Sequence, residues 1–161
     1  VNERIQIDED LRAFLEESGS AVVVGTRDAL LAPQITRGWG VRVSPDRRTI
    51  ELCVGMPSSR RTLDNLADNG QIAVTLVRPS DYRQVQIKGR ATEPLSPTAE
   101  DRLRVERHQK AFTREVEQVG ISPLICAGFW NHDDEDEMVK VRFVLSEAYD
   151  QTPGPDAGRP L

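Results

Sequence analysis

Aromatic side chains are scarce, at 5% of 161 residues, and cysteine and histidine occur only twice each. Cys53 and Cys126 lie too far apart for a CxxC motif and too few for a disulfide framework, which fits a reducing cytoplasm. Positive charge is not in excess. Twenty-one Lys and Arg against 26 Asp and Glu leave a net charge of −5, so nucleic acid is not an expected partner, although a local basic site stays open. No apolar run is long enough to span a bilayer, and Val1-Asn2-Glu3-Arg4 has no signal-peptide core, so a membrane is not expected either. No internal repeat is present. No strand is followed by GxGxxG or GxxxxGK[ST], which removes the common dinucleotide and P-loop sites. What remains is a soluble, single-domain chain, large enough to bury its own core over residues 1–150. Its Pro/Gly-rich tail, residues 151–161, is expected to be extended and without regular structure.

The chain is organised around residues 58–91. A short helix is expected from Ser58 or Ser59, with a hydroxyl as cap; Leu63, Leu66 and Ala67 form its apolar stripe and Asn69-Gly70 its stop. Arg60 and Arg61 sit in its first turn, where the positive end of the helix dipole opposes each of them by roughly 0.3–1 kcal/mol unless an anion is present. Backbone N–H groups, hydroxyls and two guanidiniums at one point make a phosphate seat; a solvated basic turn is the competing reading.

Around it the patterning is mostly that of strands. An amphipathic helix follows Asp8-Glu9-Asp10, with Leu11, Phe14 and Leu15. Strands are expected over Ala21–Val24, over Leu30–Thr36 despite Pro33, and over 38–43 with Trp39, Val41 and Val43 on one face. A fourth carries Ile50, Leu52 and Val54 opposite Glu51 and Cys53, and a fifth alternates Ile72, Val74 and Leu76. The next places Val85, Ile87 and Ala91 on one face and Tyr82, Gln84, Gln86, Lys88 and Arg90 on the other. Ser96-Pro97 opens a long helix to Val119, marked by Leu103, Val105, Phe112, Val116 and Val119. Two last strands, 124–130 and 138–145, flank the acidic 132–137 run. That run lacks the spaced ligands and glycine of a calcium loop and is expected to be a solvated turn, with no metal. Hairpin-length turns and few crossover helices indicate a compact antiparallel barrel, mainly β (α+β), with flanking helices at its rims.

Arg83-Gln84-Val85-Gln86-Ile87-Lys88-Gly89-Arg90-Ala91 resembles the RQVxVxGxA strand of the pyridoxamine 5′-phosphate oxidase-like FMN-binding split-barrel family. Ser59-Arg60-Arg61, with Asn65-Leu66 and Asn69 downstream, resembles that family's SRK helix start and NL…NP, with Arg where Lys is usual and Gly70 where Pro is common. By element order the resemblance spans roughly residues 8–146. It implies a six-stranded antiparallel split β-barrel that pairs into a homodimer, with FMN in the interface clefts. It further implies that Ser59, Arg60 and Arg61 hold the FMN phosphate, leaving open which arginine faces it. Arg37, Gly38, Trp39, Gly40, Cys53 and Val54 would form the isoalloxazine wall, and Gln84 would reach the flavin, from the same subunit or its partner.

No catalytic residue is assigned. The histidine-and-arginine substrate motif of the true oxidase is missing, since His108 lies on the long helix and His132 in the acidic run. The implied function is a flavin-dependent oxidoreductase acting on an undetermined small molecule, with a reductant such as NAD(P)H. A non-catalytic FMN carrier or sensor, and a haem- or deazaflavin-binding split barrel, stay open as alternatives. A haem would need His108 or His132 as axial ligand, whereas a lone histidine on a charged helix is expected to face solvent. Cys53 is expected to be a small packing residue rather than a redox group.

Overall fold

The structure, a computed structural model, describes residues 5–17, 19–56, 58–127 and 137–161. Six antiparallel strands close into a barrel in the order β1-β2-β3-β6-β5-β4. They are β1 (Ala21–Arg27), β2 (Pro33–Val43), β3 (Thr49–Gly55), β4 (Gln71–Val77), β5 (Gln84–Ala91) and β6 (Met138–Asp150). Helices α1 (Glu9–Glu17), α2 (Arg60–Asn69), α3 (Ala99–Gln118) and α4 (Pro123–Ala127) flank it.

Period-2 alternation fills the interior. Val22, Val24, Ile50, Leu52, Val54, Val74, Leu76, Ile87, Val141 and Phe143 are all buried there. α1 and α2 add Phe14, Leu15 and Leu66 to the same core. A second, smaller core lies outside the sheet beneath α3, where Trp39 and Cys53 meet Val105, Phe112, Val116 and Cys126.

Several expectations are corrected. The second and third expected strands are one, β2, with Pro33 at its start opposite Arg27, where a missing N–H does least harm. The register between β2 and β3 shifts between Trp39 and Arg42, and Gly40 there has φ +60. This bulge turns Trp39 outward beneath α3 while Val41 and Val43 stay inside, so the three do not share a face. Residues 124–127 are helical rather than extended; the remainder of that expected strand, 128–130, and positions 131–136 lie outside the described residues. α3 is capped by Thr98 rather than Ser96, through a capping box with Asp101. Leu103 and Val119, expected in its apolar stripe, are 56% and 43% exposed; His108 takes the inward position between Val105 and Phe112.

The tail has no helix or strand and turns back on β6: the Gly158 N–H donates to the Asp150 carbonyl at 2.7 Å and the Leu161 N–H to the Ala148 carbonyl at 3.0 Å. Gln151 and Thr152 clamp the start of β5, with the Gln151 N–H donating to the Gln84 carbonyl and the Gln84 N–H to the Thr152 hydroxyl.

Candidate functional site

The start of α2 sits at the rim of the barrel where β1 and β3 end and β2 begins. Ser59 is fully buried, but its hydroxyl does not cap the helix as expected. It shares a hydrogen bond of 2.8 Å with the Thr36 hydroxyl of β2, while the Ser58 hydroxyl donates to the Gly55 carbonyl. The amides of the first turn are therefore left without a side-chain cap. Arg60 and Arg61 are exposed beside them. Arg61 lies 3.6 Å from Asp28, whereas Arg60 makes no ion pair with the described residues. Asp28 is itself fixed: the Ala32 and Leu30 amides both donate to its carboxylate at 2.9 Å. The Ala32 amide, then that of Leu30 and the Arg61 charge, hold its carboxyl below the usual range against a burial penalty. Thr62, one turn into the helix, is fully buried and its hydroxyl has no partner among the described residues.

The asparagines of the downstream motif anchor this helix. Asn65 donates to the Thr26 hydroxyl at 3.1 Å and Asn69 to the Arg27 carbonyl at 2.9 Å, tying both turns of α2 to the end of β1. Gly70, at φ +68, closes the helix by donating to the Leu66 carbonyl, as Asn69-Gly70 predicts. Thr36 and Asp28 were not flagged by the sequence. Each meets its partner only through folding, and neither belongs to a local motif.

The residues implied for a ring wall are largely consumed by the fold. A Cβ on Gly38 would meet Val22 and Val24 at 2.9 and 3.0 Å, so Gly38 faces the packed interior, as does the buried Val54. Gly40 faces Val105 at 3.1 Å; its N–H donates to His108 Nδ1 and its carbonyl accepts from Arg104 Nε, both at 2.8 Å. Cys53 is fully buried, and burial, with the Asp101 charge behind it, pushes its thiol up to about 11. Trp39 packs edge-on against His108 and Phe112. Arg37 is half-buried, its guanidinium 5.2 Å from the Trp39 ring centre and 5.1 Å from that of Phe112. Strand alternation sends Arg37 to the face opposite its neighbour Thr36. Gln84 is half-buried and opposite Val77, which pairs with Ala21 at the barrel end where β1 begins. Ser59, Arg60 and Arg61 lie where β1 finishes. Within one protomer, Gln84 and the α2 start are thus at opposite ends.

His108 is corrected from solvent to interior. It is 9% exposed, with both ring nitrogens bonded, Nδ1 to the Gly40 N–H and Nε2 to the Ser20 carbonyl at 2.8 Å. Among the described residues no group of His, Cys, Asp and Glu could hold a metal ion, and no helix is long and apolar enough to cross a membrane.

Solved structures share this architecture. HupZ from Group A Streptococcus superposes with a TM-score of 0.55 at 17% identity, over 95% of this chain and 100% of that one. An F420 reductase does so at 0.54 and 14% identity, over 84% and 94% of the two chains. A candidate pyridoxamine 5′-phosphate oxidase from Lactobacillus delbrueckii gives 0.52 and 12%, over 89% and 93%. No family model and no curated protein matches the sequence. At such identities the likeness is one of fold. The chain has the six-stranded split-barrel fold of the pyridoxamine 5′-phosphate oxidase-like proteins.

Proposed function

We propose that this chain binds FMN through its phosphate at the start of α2 and acts, as a homodimer, as a flavin-dependent oxidoreductase on a small molecule. The observation that carries the reading is the convergence at that rim. Uncapped first-turn amides, an arginine with no ion pair and a buried Thr62 hydroxyl with no partner among the described residues meet at one helix start. The phosphate end of the cofactor fits this set. Arg60 and Arg61 would supply the charge, the α2 amides the donors, and the Ser59–Thr36 bond would hold the rim in place.

The ring end fits only in part. Gly38, Trp39, Gly40, Cys53 and Val54 are filled by their own protomer and Arg37 stacks against Trp39 and Phe112, so the ring contacts would come largely from a second copy. The far-end position of Gln84 supports that division, because only a partner subunit could bring it to the α2 rim. Bound FMN would supply the electron transfer, and the protein its binding and electrostatics.

Haem is disfavoured at His108, whose two nitrogens are already committed. A deazaflavin is the second reading, since it too carries a phosphate and the fold is shared with an F420 reductase. The absorption spectrum of purified protein separates these: flavin bands support FMN, a deazaflavin band the second reading, and a Soret band neither. Arg60→Ala with Arg61→Ala should lose several kcal/mol of charge-assisted binding and yield colourless protein. Full flavin occupancy in that variant would falsify the phosphate seat. Stopped-flow reduction by NADH and NADPH then separates an enzyme from a carrier, which every donor should reduce slowly.

A further inference from the structure

A second cavity lies away from the α2 rim, in the groove between the C-terminal end of α1, β2 and one face of α3, with a volume of about 550 Å³. Five cations line it: Arg42 from β2, and Arg104, Arg107, Lys110 and Arg114 from α3. Arg104 is used internally, on the Gly40 carbonyl and Asp101. Arg42, Arg107, Lys110 and Arg114 make no ion pair with the described residues. On α3 the spacings 107–110 and 110–114 put like charges on adjacent turns, an arrangement that an anion between them would favour. Three carboxylates also line the groove. Glu16 is spoken for, accepting the Val43 N–H and pairing with Arg12, while Glu17 and Glu100 remain. The unpaired charge in the groove is therefore positive, on a chain whose net charge is −5.

We infer that this groove is an anion site for a phosphorylated small molecule of nucleotide size, separate from the proposed flavin phosphate seat. The volume falls in the range of small-molecule sites. The donors are forked guanidiniums, which match phosphate oxygens in pairs. Gly19 and Ala111 form part of its floor, packed so closely that a Cβ on Gly19 would lie 2.7 Å from the Ala111 carbonyl. Its inner wall holds Arg104 and His108, the two side chains that grip the Gly40 peptide from either end, so an occupant would lie directly against the support of the β2 bulge.

The test is calorimetric titration of the full chain with ADP and with inorganic pyrophosphate, adenosine serving as the uncharged control. Amide shifts of Gly19 and Ala111 would locate the site. ADP should bind and adenosine should not. Arg107→Ala with Arg114→Ala, both exposed positions, should weaken ADP by about tenfold or more, and Lys110→Ala provides an independent variant should the pair disturb folding. The Arg60→Ala, Arg61→Ala protein should bind ADP unchanged, which separates this site from the flavin seat whether or not FMN binds there. Absence of ADP and pyrophosphate binding, or loss of it only in the α2 variant, overturns the inference. So does affinity for an oligonucleotide that climbs with its length, which would make the groove a nucleic-acid surface instead.

Discussion

The backbone N–H of Gly40 donates to Nδ1 of His108 at 2.8 Å, which fixes the imidazole as the neutral tautomer carrying its proton on Nε2, toward the Ser20 carbonyl. A proton on Nδ1 would set two donors against each other at the bulge where α3 meets β2. Burial lowers the imidazole from 6.5 to about 4; the Ser20 carbonyl opposes that shift and the Arg37 charge adds to it. The folded state therefore binds fewer protons than the unfolded state between these values, and stability falls as pH drops through that window. The loss reaches at most roughly 3 kcal/mol. Urea unfolding midpoints across about pH 7 to 4 should show it. His108→Gln, less stable at neutral pH, should show a flatter profile over the same window; an equally steep one would assign the slope to other groups.

Asp101 is 2% exposed and joins α3 and its cap to β6. It accepts from the Thr98 amide, pairs with Arg104 on its own helix, and reaches Lys140 of β6 at 2.9 Å. Burial alone would raise its carboxyl, but the Thr98 amide, Lys140, the Thr98 hydroxyl and Arg104 together hold it well below the usual carboxylate range. Asp101→Asn should be costly, about 3–5 kcal/mol, because it leaves Lys140 buried without a counter-charge and removes half of the capping box. Lys140→Met should be milder, since Asp101 keeps Arg104 and Thr98. Denaturant unfolding of both variants checks the order.

Gly89 gives the RQVxVxGxA-like strand a physical reason for its glycine. A Cβ there would lie 2.2 Å from the Val144 carbonyl oxygen and 2.7 Å from Phe143, where the β5–β6 register shifts between Lys88 and Gly89. Gly25, on β1, has only the Ala73 carbonyl at 3.6 Å. Gly89→Ala should destabilise the barrel by about 2 kcal/mol or more, and Gly25→Ala should be close to neutral. Thermal unfolding of the pair decides whether backbone proximity sets the requirement.

β4 and the first half of β5 were readable because buried residues alternate with partly exposed ones, and β3 because Ile50, Leu52 and Val54 alternate with Glu51 and Cys53 in sequence, although both of its faces are buried. β2 was not. The Asp28 turn, with Leu31 at φ 65, and Pro33 directly after it obscure where the strand begins, and the bulge at Gly40 breaks its alternation. His108 misleads for a different reason: it is a polar residue in the stripe of Val105, Phe112 and Val116, and only the tertiary bonds to Ser20 and Gly40 satisfy its ring there. At the α2 rim the charges were legible because Arg60, Arg61 and Ser59 are consecutive. The Thr36 and Asp28 contacts were not, since they come from a different strand and turn.

Those contacts also separate the two arginines. Arg61 is drawn to Asp28, whose carboxylate is locked by two amides and cannot turn away, so part of its charge is already neutralised. Arg60 is exposed and without an ion pair among the described residues. If α2 seats a phosphate, Arg60→Ala should weaken FMN by about ten- to a hundredfold, and Arg61→Ala by less. Asp28→Asn should tighten binding by releasing Arg61, and should do nothing in the Arg61→Ala background. Fluorescence titration of apoprotein with FMN gives the affinities of these four variants and the parent protein. Equal losses from the two arginines, or weaker binding in Asp28→Asn, would show that the Asp28 pairing does not decide which guanidinium meets the phosphate.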